Sequence, residues 1–257
     1  MKAITFKVRF LTAQFKEHTQ KMTRRTYLIP PPSVVAGIFG AILGVERRNI
    51  FSFSETLFSG AELKSLGGRT VTFARIFKVD RPPSQLLDLL KKYYGGEREK
   101  VLKDVQQLLP IKESEELYMP EYKFAVASPN EEIIEEGLRR LREFDFEYDI
   151  FGGNDYHFVE FIDNPRLAKM EKSVKGYGYC PRKDFEGVEA ETFCVVWELE
   201  KIREARLPLI MPATFLANVN EDFIQVYGAR IIAKKELDVV NDGENAIFVY
   251  KVRPFLV

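Results

Sequence analysis

The clearest pattern along the chain is an alternation of apolar and polar residues near its N-terminus. Residues 4–10 read ITFKVRF, in which every second residue is apolar. This period of two predicts a strand with one buried face. Residues 71–79, 122–127 and 157–162 are rich in β-branched and aromatic residues, and they predict three further strands.

Prolines and glycines mark two helical stretches between these strands. Three prolines lead into an apolar, glycine-rich run, which predicts a helix over residues 33–43 that stops at Gly44. The glycines of this run match no nucleotide-binding motif, so we expect them to give the helix a small face for close packing. Apolar residues at i, i+4 and i+7 predict a helical insert at about residues 82–110.

A third predicted helix has the best-defined start. Ser128-Pro129-Asn130-Glu131 matches a capping box with proline at the first helical position. Ile134, Leu138 and Leu141 then form an apolar face, and Glu–Arg pairs at i, i+4 form the opposite face. Residues 113–149 carry a net charge of −8, and these pairs favour a solvated helix surface over a docking site.

The order of these elements is β-α-β-(insert)-β-α-β, which is the split βαβ order of ferredoxin-like, RRM-like folds. We therefore predict an α+β protein with a ferredoxin-like domain over residues 1–163. Residues 164–257 are predicted to form a β-rich C-terminal domain or arm, in which residues 172–187 are a loop or hairpin arm. The strands predicted in this part cover residues 192–200, 223–234 and 246–252.

Composition excludes several classes of protein. The 257 residues have a net charge of zero and are 46% apolar, so the chain is neither a polycation nor disordered. It has no apolar run of about 20 residues that could span a bilayer, and no signal-like apolar block, so we expect no membrane partner and a cytoplasmic location. Cys180 and Cys194 are then expected to be reduced, although a disulfide between them stays open. No metal-ligand or cofactor motif occurs, so we expect neither.

The charge is unevenly distributed despite the neutral total. Residues 1–30 carry a net charge of +6 and residues 166–183 carry +5, and both stretches contain tyrosines. Cations interleaved with rings suit single-stranded RNA, whose phosphates bind Lys and Arg while its bases stack on rings. Solvated loops are the alternative, and Tyr27 is equally consistent with core packing. The candidate RNA-binding residues are Lys16, His18, Lys21, Arg24, Arg25 and Tyr27 in the first stretch, and Lys172, Lys175, Tyr177, Arg182 and Lys183 in the second.

The stretch TYLIPPPSVVAGIFGAILG, residues 26–44, carries a resemblance to a known family. Together with the first strand, it resembles the CRISPR-associated RAMP proteins of the Cas-five family, which are subunits of type I surveillance (Cascade) complexes. A second similarity is FGGNDY at residues 151–156, which is like the glycine turn before the last ferredoxin-fold strand of that family. The matching residues of the first motif are Tyr27, Pro30, Pro31, Gly37, Ala41 and Gly44.

The resemblance implies a ferredoxin-like domain with an arm and a role in antiviral defence. It implies a non-catalytic subunit that grips the repeat-derived 5′ handle of the guide RNA (crRNA) and caps one end of the protein filament that holds the guide. The implied partners are this crRNA handle, the backbone subunit of the Cascade filament, and the large subunit near the target DNA.

Two other functions stay open. Members of one subtype of the family cut precursor RNA with a tyrosine, lysine and histidine constellation, which this sequence does not match residue by residue. A metal-independent endoribonuclease needs a base to deprotonate the 2′-OH and a cation to stabilise the phosphorane, and His18 or His157 are the candidate bases. The third interpretation is a ferredoxin-like assembly or small-ligand module without a nucleic-acid role.

Overall fold

The computed structural model describes residues 1–17, 24–75, 83–101, 111–153, 156–189, 209–214 and 222–252. The protein is mixed α+β and consists mostly of strands. The strands are β1 (Lys2–Phe10), β2 (Thr12–Ala13), β3 (Phe58–Ser65), β4 (Gly68–Arg75), β5 (Ile111–Tyr118), β6 (Glu121–Ala127), β7 (Val159–Pro181), β8 (Phe185–Glu189), β9 (Leu209–Thr214), β10 (Asp222–Asn241), β11 (Ala246–Phe248) and β12 (Tyr250–Lys251). The helices with described bounds are α1 (Pro32–Leu43), α2 (Ile50–Ser54), α3 (Pro83–Tyr94) and α4 (Glu131–Glu143).

Four antiparallel strands in the order β3-β6-β1-β7 form the centre of the main sheet. The alternating residues of β1 that were predicted to be buried, Ile4, Phe6, Val8 and Phe10, are all fully buried. They belong to one core cluster with apolar residues of α1 and α4, so both helices cover this face of the sheet. The prediction of β1 from its alternation is therefore confirmed.

Helix α1 begins and ends as its prolines and glycine predict. It starts at Pro32 and ends at Leu43, and the following Gly44 adopts a left-handed conformation with φ 77° and donates its N–H to the carbonyl of Ala41. The expected small face of α1 is used at Gly40, where a Cβ would overlap Ile50, but a Cβ on Gly37 would meet no atom within 4 Å. The close approach of α4 to Phe39 is provided by Gly137, which the sequence did not single out. Small residues thus let α1 approach its neighbours closely.

Helix α4 has a different N-cap from the predicted one. The side-chain oxygen of Asn130 accepts a hydrogen bond from the N–H of Glu132, 3.0 Å away, whereas the Ser128 hydroxyl accepts one from the N–H of Asn130. Asn130 is the last extended residue before the helix, so its short side chain reaches the free amide that Ser128 is too far back to cap. Arg139 pairs with Glu136, Glu143 and Asp145, in agreement with a solvated, charge-paired face.

β6 pairs with β1 on one side and with β3 on the other. The sequence patterns did not predict β3. The predicted strand at residues 71–79 corresponds to β4, which pairs with β5 in a separate three-stranded sheet of order β2-β5-β4. Glycine, serine, alanine, glutamate and lysine make β3 a weak strand former, so tertiary packing places it. Helix α3 confirms the first part of the predicted insert, while residues 102–110 lie outside the described residues.

Strand β7 links the two halves of the sheet. Its first part pairs with β1 and its second part pairs with β10, which also pairs with β8, β9 and β11. Residues 172–187 therefore lie mainly in β7 and β8, and the loop alternative for them is wrong. The predicted domain boundary at 163/164 falls inside β7.

The C-terminal strands close the sheet onto itself. β11 pairs with β10, and β12, which follows β11 after one residue, pairs with β3 at the other end of the strand order. Gly178, with φ 103°, packs directly against the Ala61 carbonyl across this closure. Cys180 is a buried free thiol whose pKa burial raises to about 12, and its candidate partner Cys194 lies outside the described residues, as does the predicted strand at residues 192–200.

Candidate nucleic-acid interface

The first basic segment, residues 16–27, is tied to β5 by its backbone. Lys16 and Thr26 form an antiparallel bridge, and the N–H of Glu17 donates to the carbonyl of Arg25. The N–H of Arg24 donates to the Glu113 carbonyl at 2.9 Å, and the Arg24 carbonyl accepts from the N–H of Glu115 at 2.8 Å. The backbone at Arg24 is therefore held against β5, and the backbone at Lys16 and Glu17 is held by pairing with Thr26 and Arg25.

The described cations of this segment face outward. Lys16 and Arg25 are exposed and Arg24 is half-buried. Among the described acidic side chains, none lies within ion-pair distance of Lys16, Arg24 or Arg25. The Glu17 carboxylate interacts electrostatically with Arg25 but forms no ion pair with it. His18 and Lys21 lie outside the described residues.

Tyr27 occupies the core rather than the surface. Its ring is 3% exposed and belongs to the main core cluster, and its N–H donates to the carbonyl of Phe15 at 2.8 Å. The ring is not available to stack on a base in this conformation. Of the two interpretations of Tyr27 drawn from the sequence, the observed contacts match core packing.

Buried polar side chains hold the chain that follows the segment. Leu28 and Ile29 are fully buried but lie in no helix or strand, so their backbone groups need other partners. Gln225 and Tyr122 supply them through their side chains. Upstream, the buried Gln14 side chain donates to the Ser114 hydroxyl and the Glu115 carbonyl. Sequence patterns missed these residues because their partners are distant in the chain.

The second basic group is divided by its position along β7. Lys172 lies 2.8 Å from Asp238, and Lys175 lies 3.1 Å from a Glu189 oxygen that also binds Arg230. The ammonium of Lys64 lies 6.0 Å from the centre of the Tyr177 ring, which is half-buried. Arg182 and Lys183 are exposed in a 3-10 turn, Arg182–Asp184, that follows β7. Since a strand rises about 3.3 Å per residue, Lys172 and Arg182 are far apart and do not form one compact cluster.

His157 is part of the core. It is fully buried, and its Nδ1 lies 2.7 Å from the Thr12 hydroxyl, while its carbonyl accepts from the N–H of Gly152. Burial lowers the pKa of the imidazole, so the ring is held neutral near pH 7. Gly153, with φ 119°, completes the turn against the Gln14 carbonyl. The histidine and the two glycines thus fix a turn beside the start of the basic segment.

The described residues contain neither a metal-binding cluster nor a membrane-spanning helix. No group of three or more His, Cys, Asp and Glu side chains there is arranged to hold a metal ion. No helix in the same ranges has the length and apolarity needed to cross a membrane.

The fold and the site define a mixed α+β protein, mostly of strands, with an outward-facing basic segment anchored at a sheet edge. A family model described as "CRISPR-associated protein (Cas_Cas5)" matches residues 3–205 of the 257. The chain belongs to this family of CRISPR-associated proteins, which confirms the resemblance seen in its sequence. No curated protein matches it.

Several solved structures are similar to this chain at low identity. A CRISPR protein from Archaeoglobus fulgidus is 11% identical with a TM-score of 0.48, and the match covers 98% of this chain and 100% of that one. A chain of a CRISPR RNA-guided surveillance complex is 12% identical with a TM-score of 0.41, covering 91% of both chains. A Cas protein is 14% identical with a TM-score of 0.36, covering 61% of this chain and 58% of that one. Membership of the family rests on the family match rather than on these likenesses.

Proposed function

We propose that this protein is a non-catalytic subunit of a type I CRISPR surveillance (Cascade) complex that binds the 5′ handle of the crRNA. The observation that carries this proposal is the pair Arg24–Arg25 with Lys16, which are anchored through their backbone and form no ion pair with a carboxylate of the described residues. Because the chain belongs to a CRISPR-associated family, we expect the polyanion that binds this surface to be a guide RNA. The proposed role is cytoplasmic and includes capping the backbone filament.

The arrangement suits phosphate binding better than recognition of a folded protein. Arg guanidinium groups bind phosphate oxygens in bidentate geometry, and a backbone fixed on β5 limits the conformational entropy lost on binding. Each phosphate contact releases counterions, so affinity should fall steeply with salt. Lys16, Arg24 and Arg25 are the proposed primary contacts, and Arg182 and Lys183 are secondary ones. Lys172 and Lys175 are lower-ranked because carboxylates of this chain already bind them.

A ferredoxin-like N-terminal part is the architecture we infer for this role. The element order β1-α1-β3-β6-α4-β7 and the strand order β3-β6-β1-β7 support it, because a split βαβ motif places its first and third strands side by side in the centre. In this interpretation the second ferredoxin strand is β3, and the helical insert lies between β4 and β5. The β-rich part from residue 164 onward then continues the same sheet through β7.

Absence of RNA cleavage is part of the proposal. A general base must reach the 2′-OH through a hydrogen bond or one water. The full burial of His157 argues against such access, and its contact with Thr12 supports a structural role. His18 remains the candidate base for the alternative endoribonuclease function.

The test is binding of the purified full chain to an end-labelled CRISPR-repeat RNA over a series of salt concentrations without metal. Arg24→Ala with Arg25→Ala should weaken binding and lower the slope of log K against log salt by about 1 to 2. The matched control is Arg47→Ala with Arg48→Ala, an exposed Arg-Arg pair elsewhere with the same charge change. Equal effects of the two double variants would indicate binding by net charge alone and would contradict the proposal.

A parallel denaturing gel tests for cleavage. Intact RNA in EDTA agrees with a non-catalytic role, whereas discrete products would favour the endoribonuclease and make His18→Ala the next variant. If the chain alone fails to bind, the assay is repeated with the backbone and large subunits present. Absence of any Arg24–Arg25 effect there too would favour an assembly module without an RNA role.

A further inference from the structure

In the described part of the chain, the outer edge of the main sheet has no neighbouring strand where β7 begins. β1 covers the inner edge of β7 from residue 159 onward, but β10 reaches the outer edge only at Lys169. Within the described ranges, no strand pairs with the outer edge of residues 159–168. A bulge at Asn164, which has φ 55°, and the following Pro165 interrupt this stretch. Among the described residues, the outward backbone donors and acceptors of residues 159–163 are therefore not used by a neighbouring strand.

An apolar groove of about 490 Å³ runs beside this open edge. Phe144 lies at one wall, is 65% exposed and has a left-handed backbone conformation with φ 55° at the end of α4. That conformation ends α4, because the Phe144 N–H donates to the Arg140 carbonyl as the helix C-cap. The ring packs edge-on against Phe146, and most of its surface stays exposed at the groove. The groove is lined by Phe144, Phe146, Val159, Glu160, Phe161, Ile162 and Asp163.

The two faces of this edge differ in chemistry. Val159 and Ile162 lie on the buried face of the sheet, next to the groove aromatics, because they pair with core residues of β1. Phe161 and Asp163 lie on the opposite face, where the Arg9 guanidinium covers the Phe161 ring. Glu160 lies at a register shift, 3.7 Å from the same guanidinium, so Asp163 is the exposed carboxylate of the edge that lacks an ion pair among the described residues. A strand added here meets apolar side chains on one face and an aromatic ring and carboxylates on the other. The complementary sequence alternates aliphatic residues with Lys or Arg.

We propose that residues 159–163 form a docking edge for an extended segment of a partner protein in which aliphatic and basic residues alternate. The partner strand donates and accepts main-chain hydrogen bonds along β7, its aliphatic side chains enter the groove, and its cations approach Asp163. A second copy of this chain is a poor occupant because the same carboxylates would face each other. RNA is a poor occupant because the carboxylates repel phosphate.

The first experiment measures binding of fluorescein-labelled peptides to the purified full chain by anisotropy. The probe is Lys-Val-Lys-Val-Lys-Val-Lys. One control replaces each Lys with Glu, and another keeps the sequence but carries N-methyl groups on alternate amides. The first peptide should bind and both controls should fail, because one control has the wrong charge and the other cannot extend the sheet. Equal binding of the N-methylated peptide, or no binding of the first, would overturn the proposal.

Variants locate the binding site. Phe144→Gly removes the ring but suits the left-handed backbone, so the fold should be retained. It should weaken peptide binding about tenfold, the scale of a central aromatic anchor. Phe51→Ala is the control because Phe51 is also 65% exposed but lies in α2, outside the groove. Equal effects of the two variants would contradict the site.

Hydrogen exchange distinguishes a free edge from one that is already covered. Amides of residues 159–163 that point outward should exchange quickly in the free chain and slow when the Lys-Val peptide is added. If they are already protected before the peptide is added, a segment of the chain itself occupies the groove and the proposal fails. Neither result depends on RNA binding, so failure of this proposal would not count against the proposed function.

Discussion

The side-chain amide of Gln225 forms two hydrogen bonds with the backbone of Ile29. Its oxygen accepts from the N–H of Ile29 at 3.3 Å and also from that of Leu28, and its nitrogen donates to the Ile29 carbonyl at 2.9 Å. Gln225 is 1% exposed and lies on β10, whereas Ile29 precedes α1. One buried amide therefore takes the place of a neighbouring strand for a segment that has no regular structure. It fixes the chain just beyond the proposed RNA-binding cations.

Replacing Gln225 should destabilise the protein substantially. In Gln225→Leu the new side chain has a similar volume but no amide, so the buried backbone groups of Leu28 and Ile29 lose their partners. The free energy of unfolding should fall by about 1–3 kcal/mol. Urea unfolding followed by circular dichroism measures this change. Glu236→Leu is the control because Glu236 is exposed on the same strand, and its effect should stay within about 0.5 kcal/mol. Similar midpoints for the two variants would show that the amide bonds contribute little.

A buried ion pair should make stability depend on acid pH. The Asp242 side chain lies 2.5 Å from the Lys123 ammonium, and both side chains are almost fully buried. Burial alone would raise the pKa of Asp242, but hydrogen bonds from Lys123 and Thr5 outweigh it and lower that pKa to about 2. Because the pKa is lower in the folded state than in the unfolded one, this stabilisation is present above about pH 4 and is lost as pH falls towards 2.

Asp242→Asn tests this dependence. The variant should lose about 3 kcal/mol at pH 7, because it leaves the Lys123 charge buried without its closest partner. It should also show a smaller loss of stability between pH 4 and pH 2 than the unmodified chain. Chemical unfolding at several pH values measures both effects. Lys123→Met combined with Asp242→Leu should recover part of the loss at pH 7, and an equally unstable double variant would argue against an electrostatic cause.

The closure of the sheet depends on Gly178. A Cβ there would overlap the Ala61 carbonyl, and φ 103° is unfavourable for any other residue. Gly178→Ala should therefore lower the unfolding free energy by about 2–3 kcal/mol and the melting temperature by roughly 5–10 °C. Gly187→Ala is the matched control, since a Cβ at Gly187 meets no atom within 4 Å. A melting temperature for Gly178→Ala equal to that of the control would contradict the close contact.

His157 should control stability in mildly acidic solution without affecting RNA binding. Its pKa is lowered by burial, so the unfolded state takes up a proton that the folded state resists. Stability should be complete above the ordinary histidine pKa of about 6.5 and should decline as pH falls below it. His157→Gln should show a smaller decline between pH 7 and pH 5 in denaturant unfolding. RNA cleavage that is abolished by this variant while its fold is intact would instead indicate a catalytic histidine.

Local patterns in the sequence were sufficient for elements that carry their own signals. The alternation in β1 and the proline and glycine at the ends of α1 predicted these elements correctly. β3 was missed because its small and polar residues become a strand only through contact with β6 and Phe248. The long strand β7 was mistaken in part for a loop because its glycines and lysines are stabilised by pairing with the distant β10.

The same holds for the candidate site: features set by neighbouring residues in the sequence were predictable, and contacts between residues far apart in the chain were not. Clustering of charge in the sequence was enough to select Lys16 and Arg25, which are exposed, and Arg24, which is half-buried. It could not reveal that Lys172 and Lys175 are bound by Asp238 and Glu189, which are brought close only by the β10 and β8 pairings. Nor could it identify Gln225, whose partner Ile29 is 196 residues away in the chain.

The pairing of β12 with β3 has a consequence for synthesis on the ribosome. β3 emerges early, but the strand that covers its outer edge is translated only after β4 to β11. At synthesis rates of about 5–20 residues per second, that edge waits on the order of ten seconds or more before its partner exists. During this interval the nascent chain carries an uncovered strand edge, which is a template for association with other chains. Protection by a chaperone, or rapid assembly with a partner, would then determine how much protein reaches the closed state.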